Sequence, residues 1–213
     1  MVNANIGQLY VIYGDFELAV ECLQGVLQQC RCMPSVLFLE GLTCRNLAQA
    51  YQGLRRYEEA MATLRRAASL LEKAGTTAML TEVLVVRAEL ELETDRPEAQ
   101  STCEQALRTA QTLGHRELES RANRVLGRIA HARGEEGLAE GLLRDSVSQA
   151  ERIGVPYELG LSLLALAELY ATWSDPAARR KLFTRTVRQA VKVLTDVGAR
   201  AAVDRARGLA ATP

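Results

Sequence analysis

The side chains best suited to recognising another molecule are arginines at helical spacing. Arg121, Arg124, Arg128 and His131 follow one another at intervals of 3, 4 and 3 residues, which puts them on one face of an α-helix. A guanidinium is a planar fork that grips a carboxylate through two parallel hydrogen bonds. An earlier stretch offers Leu42, Arg45, Asn46, Gln49 and Gln52, whose amides can hold an extended peptide backbone. A later one offers Leu161, Leu164, Glu168 and Ala171. Such rows suit reversible binding of a protein or peptide, acidic or carboxylate-bearing. Glu82, Glu89, Glu91 and Glu93 are the internal competitors for the arginines. Exposed ion pairs contribute only about 0–1 kcal/mol, so a partner can still displace them.

Other chemistries find less support. Glycine-rich nucleotide loops of the GxxxxGK and GxGxxG types are absent, as are HExxH and GxSxG. The two histidines, His115 and His131, lie 16 residues apart, and His115, just after Gly114, reads as a helix-start residue. Neither an enzyme nor a cofactor is expected. Cys22, Cys30, Cys32, Cys44 and Cys103 include one Cys-x-Cys pair, which is not the usual zinc spacing and has no second pair. Buried, reduced thiols are the expectation, with no metal. Arg179, Arg180, Lys181, Arg185, Arg188 and Lys192 form a basic cluster able to contact phosphate. No aromatics alternate with it, so it is expected to be a solvated outer face, and nucleic acid is not an expected partner.

The elements that hold these side chains follow from composition and periodicity. The 213 residues carry 26 Lys+Arg and 26 Asp+Glu, and 48% are apolar. That mix excludes a disordered chain and a grossly basic or acidic one. No run of about 18 apolar residues could span a membrane. The N-terminus lacks a basic stretch before an apolar core, so a cytoplasmic protein is expected. The balanced charge hides an asymmetry. Residues 1–114 hold 10 basic and 14 acidic side chains, and residues 115–213 hold 16 and 12. Such a dipole can steer a charged partner.

One pattern recurs along the chain. An anchor residue is followed by small or apolar residues at +4, +7, +11 and +14, then by Gly or Pro at +15. The anchors are Ala19, Ala60, Ala99, Ala139 and Phe183, and the terminators are Pro34, Gly75, Gly114, Gly154 and Gly198. The period is about 40 residues. The 4-3-4-3 spacing is one face of a helix, and the closing glycine suits a left-handed cap. A second helical stretch lies upstream of each anchor, beyond a turn at Gly14–Phe16, Leu54–Tyr57, Thr94–Pro97, Gly134–Glu136 or Ser174–Pro176. Pro97, Pro156 and Pro176 fall where helices begin. Strand signals are absent.

The expected fold is therefore all-α: a single solenoid domain over 1–213, built of five antiparallel helix pairs. The pairs occupy residues 1–34, 35–75, 76–114, 115–154 and 155–198, and an amphipathic helix over 199–211 caps the end. In the third pair the small position of the first helix falls on Arg87 or Ala88.

The segment Asn46 to Ala60, with Ala48, Tyr51, Tyr57, Ala60, Leu64 and Ala67 in order, resembles the tetratricopeptide repeat. The first, fourth and fifth units resemble it through Gly7, Tyr10 and Ala19, through Gly127, Ala139 and Leu143, and through Ala167 and Tyr170. The long period is similar to that of variants common in bacterial regulators. The resemblance implies a right-handed superhelix whose first helices line a concave groove. It implies a non-enzymatic interaction scaffold or regulatory module. The family's carboxylate clamp is not implied, because the first unit offers Asn5 and Gln8 without a lysine. Effector sensing and self-association are the alternatives. The first helix lacks a covering helix, and Tyr10, Val11, Ile12 and Tyr13 form an apolar cluster there. A C-terminal portion of a longer protein, or an edge that docks on itself or a partner, accounts for that cluster.

Overall fold

The computed structural model describes residues 2–30, 36–173 and 176–211. Among them are eleven α-helices and no strand. In chain order these are α1 (Val2–Tyr13), α2 (Phe16–Cys30), α3 (Leu37–Gly53), α4 (Tyr57–Lys73), α5 (Thr77–Glu93), α6 (Ala99–Leu113), α7 (Arg116–Ala132), α8 (Glu136–Ile153), α9 (Pro156–Thr172), α10 (Pro176–Val197) and α11 (Arg200–Ala211). They pack in consecutive pairs, and α11 follows the last pair. Cys32, Pro34, Ser174 and Asp175 lie outside the described residues. Packing divides the chain into two compact units, residues 1–106 and 107–213.

The anchors are buried for the reason their size suggests. Ala19, Ala60, Ala99 and Ala139 are 4% exposed or less, and a methyl side chain lets the partner helix come close. The +4, +7 and +11 positions behind them are also buried, from Leu23 through Leu194. The stripe ends there. Leu113, at +14, is 45% exposed, because the helix is already turning away at its glycine. In the third pair Ala88 is fully buried while Arg87 faces outward and pairs with Glu91, which settles the register.

Gly154 illustrates the turn that ends a second helix. It adopts φ 72°, ψ 40°. The Val155 N–H then reaches back to the Ala150 carbonyl at 3.1 Å and the Gly154 N–H to Glu151 at 3.2 Å, satisfying carbonyls that the helix end would orphan. Gly75, Gly114 and Gly198 repeat the left-handed conformation. The same bond pattern closes the first helices α3 and α5, but there Arg55 and Asp95 take positive φ. A side chain in that region costs about 1–2 kcal/mol.

Within unit 1, α1 touches α3 and α3 touches α5. Within unit 2, α7 touches α9 and α9 touches α11. Among the described residues the second helices α2 and α4, or α8 and α10, share no comparable contact. The first helices thus form the more closely spaced layer of each unit. A helix inside that layer is covered on several sides, and α9 is buried without interruption from Ser162 to Ala167.

Candidate functional site

The Arg row lies on α7. Its first turn is capped by His115, whose Nδ1 accepts the Leu118 N–H at 3.4 Å; this is the helix-start role expected of it. Arg121, Arg128 and His131 are half-buried, with part of each side chain open to solvent. The His131 Nε2 lies 2.8 Å from the Thr172 hydroxyl of α9.

Arg124 is different. It is 5% exposed, and its Nε donates to Glu158 Oε1 at 2.6 Å while Nη2 donates to Oε2 at 3.4 Å. Glu158, on α9, is 3% exposed. The fork that sequence spacing assigned to a partner's carboxylate thus holds a carboxylate of its own unit. The pair continues into a chain of buried hydroxyls. Ser162 Oγ sits 3.4 Å from Glu158 Oε1 and 2.7 Å from Ser146 Oγ. Ser146 and Ser120 donate to each other's backbone carbonyls at 2.8 and 3.0 Å. This network ties α7, α8 and α9 together and satisfies groups that would be costly to bury alone. Sequence reasoning missed it. The available signal was Ser146, a hydroxyl at the +7 position where the other pairs carry Val26, Ala67, Ala106 and Ala190.

Unit 1 holds the earlier row on α3. Arg45 is 6% exposed, bonds Gln49 Oε1 at 3.3 Å and pairs with Glu82 of α5 at 2.8 Å. The internal competition expected from Glu82 therefore takes place at Arg45. Asn46 is 1% exposed, and its Oδ1 has no hydrogen-bond partner among the described residues. Gln49, Gln52 and Leu42 remain half-buried. On α9, Leu164 is buried and Glu168 is held by Arg205 of α11 at 2.6 Å.

Among the described residues Cys22, Cys30, Cys44 and Cys103 form no disulfide, and all but Cys22 are buried. Burial pushes the Cys44 thiol up to about 11, with Arg66 opposing, and raises Cys30 as well. Both are protonated and poorly nucleophilic at neutral pH. Among the described residues no three His, Cys, Asp or Glu side chains gather where they could hold a metal ion. No described helix is long and apolar enough to cross a membrane.

Consecutive antiparallel helix pairs, small buried anchors and left-handed caps at a period of about 40 residues define a helical-repeat protein. Residues 43–70, which cover most of α3 and α4, match the tetratricopeptide repeat family model. Over that segment the chain is similar to a tetratricopeptide repeat. No curated protein matches it. Tetratricopeptide repeats generally mediate protein–protein interaction and are typically non-enzymatic scaffolds.

Proposed function

We propose that the chain is a regulatory interaction module that binds an acidic or carboxylate-bearing protein segment along its first-helix layer. In unit 2 the contact falls on Arg121, Arg128 and His131. Unit 1 offers a row of its own, Gln49 with Arg45 and Asn46 behind it. The observation that carries the reading is the division of labour on α7. Arg124 is buried in the pair with Glu158, while Arg121 and Arg128, on the same face, are only half-buried. Arg124 then orients the helix, and its neighbours meet the partner. Selection from a displayed peptide library is expected to enrich acidic sequences on the native protein. In a Lys181→Glu/Arg185→Glu/Arg188→Glu background, which reverses cations of α10, Arg121→Glu/Arg128→Glu should abolish that enrichment with the helical circular dichroism unchanged. Enrichment that survives the reversal assigns binding to another surface.

Self-association is a second reading, and α1 favours it. Tyr10 and Val11, named in the apolar cluster, pack against the unit 1 core. The open face is instead Ile6, Leu9 and Tyr13, at spacings of 3 and 4, each 36–45% exposed. An apolar stripe of that kind is buried when a second helix lies on it. A concentration-dependent mass by ultracentrifugation, abolished by Leu9→Glu, is the expected result. A monomer at all concentrations removes this reading.

A further inference from the structure

The outer face of α10 carries a row of cations that the first-helix layer does not use. Lys181, Arg185, Arg188 and Lys192 are spaced 4, 3 and 4 residues apart, and all are exposed, as is Arg180 beside them. At 1.5 Å rise per residue the four stand about 6, 4.5 and 6 Å apart along one straight edge. The side chain of Arg179 lies outside the described residues. Between 176 and 195 the sequence contains no Asp or Glu, and the helix's one acid, Asp196, lies a turn beyond Lys192 at the end of the row.

Several exposed arginines elsewhere find acids: Arg56 with Glu59, Arg66 with Glu40, Arg144 with Glu140, Arg205 with Glu168. Among the described residues Arg180, Lys181, Arg185, Arg188 and Lys192 form no ion pair. Like charges one turn apart disfavour the helix by a few tenths of a kcal/mol each. The row is therefore an uncompensated positive edge, relieved when anions are set against it. Arg180, Lys181, Thr184, Arg185, Arg188 and Gln189 also line an open depression of about 540 Å³.

We infer that this edge of α10 is a second docking surface, separate from the α7 row, and that it takes an acidic polypeptide segment. The surroundings separate that occupant from other polyanions. The exposed residues between the cations are Thr184 and Gln189, so no apolar wedge is present to enter a lipid surface. Phe183 turns inward onto the Ala130–Leu143–Tyr170 cluster and offers no face on which a base could stack. Residues 115–213, which carry this edge, hold 16 basic and 12 acidic side chains, a smaller excess than the strongly basic balance of a nucleic-acid-binding domain. A row of carboxylates needs none of these aids, since each guanidinium or ammonium meets one directly.

The test uses a labelled oligoglutamate peptide followed by fluorescence anisotropy, with a labelled single-stranded oligonucleotide measured in parallel. The native chain is expected to bind the peptide more tightly than the oligonucleotide, and more weakly as salt is raised. Lys181→Glu/Arg185→Glu/Arg188→Glu should weaken peptide binding by about tenfold or more, with unchanged helical circular dichroism because all three side chains are exposed. The Arg121→Glu/Arg128→Glu variant should retain binding to α10, which separates this inference from the proposed function of α7. Peptide binding that is absent, or indifferent to the triple reversal, overturns the inference. So does tighter binding of the oligonucleotide, which would assign the edge to nucleic acid.

Discussion

Replacing Arg124 by methionine is expected to destabilise the protein by about 3–5 kcal/mol, as breaking one side of a buried ion pair does. Two costs combine. Glu158, 3% exposed, loses both bonds from the guanidinium and keeps only the Ser162 hydroxyl at 3.4 Å. Its carboxylate is then buried with little compensation, which is far more expensive than leaving it in water. Loss of the α7-to-α9 tie also loosens the hydroxyl chain through Ser146 and Ser120, because those partners keep their geometry only while the helices stay in register. A shift of the urea midpoint at constant slope would measure the effect. The double variant Arg124→Met/Glu158→Leu should recover part of the loss, since a buried pair replaced by apolar groups costs little. If the double variant is no more stable than the single one, the pair is not the energetic link. The same comparison bears on function: loss at Arg124 should be a loss of stability, and loss at Arg121 and Arg128 a loss of capture.

Leu143→Ala is expected to cost about 2–5 kcal/mol, the range for emptying a fully buried leucine site. Leu143 is 0% exposed and fills the space left by Gly127 on the facing helix. A Cβ on Gly127 would stand 2.6 Å from Leu143 Cγ, 2.9 Å from Cδ2 and 3.3 Å from the Ala139 carbonyl oxygen. Neither the leucine branch nor the backbone can yield without moving α7 from α8. Gly127→Ala alone should therefore destabilise by about 1–3 kcal/mol, although alanine favours the helix by up to about 1 kcal/mol. Together the substitutions should cost less than their sum by more than about 0.5 kcal/mol, because the methyl of one enters the space vacated by the other. Additive costs would mean that the close approach is not what the glycine serves. Gly7 beneath Leu23, Gly41 beneath Leu71 and Gly160 beneath Leu194 repeat the arrangement.

Much of this architecture was legible because its causes are local. A second helix lies against its own pair on one side and water on the other, so its buried stripe reads directly as 4-3-4-3. Glycine terminators read equally well, since a left-handed residue is cheap only without a Cβ. First helices were harder. α5 and α9 are covered from several directions, so apolar residues run through them with little period, and the choice between Arg87 and Ala88 awaited the packing. Turns closed by Arg55 and Asp95 gave no glycine signal at all.

The candidate site divides along the same line. Spacing alone put Arg121, Arg124, Arg128 and His131 on one face of one helix, because side-chain direction in a helix depends only on the count of residues. Whether each arginine reaches solvent or a buried carboxylate depends on Glu158, 34 residues away on another helix. Nothing in the local sequence marks that glutamate as its partner. The amino-acid sequence by itself determined the helix pairs, their caps and the row of cations. Only the tertiary structure decided that Arg124 belongs to the interior and that its neighbours do not, because burial and pairing arise between elements that meet only once the chain has folded.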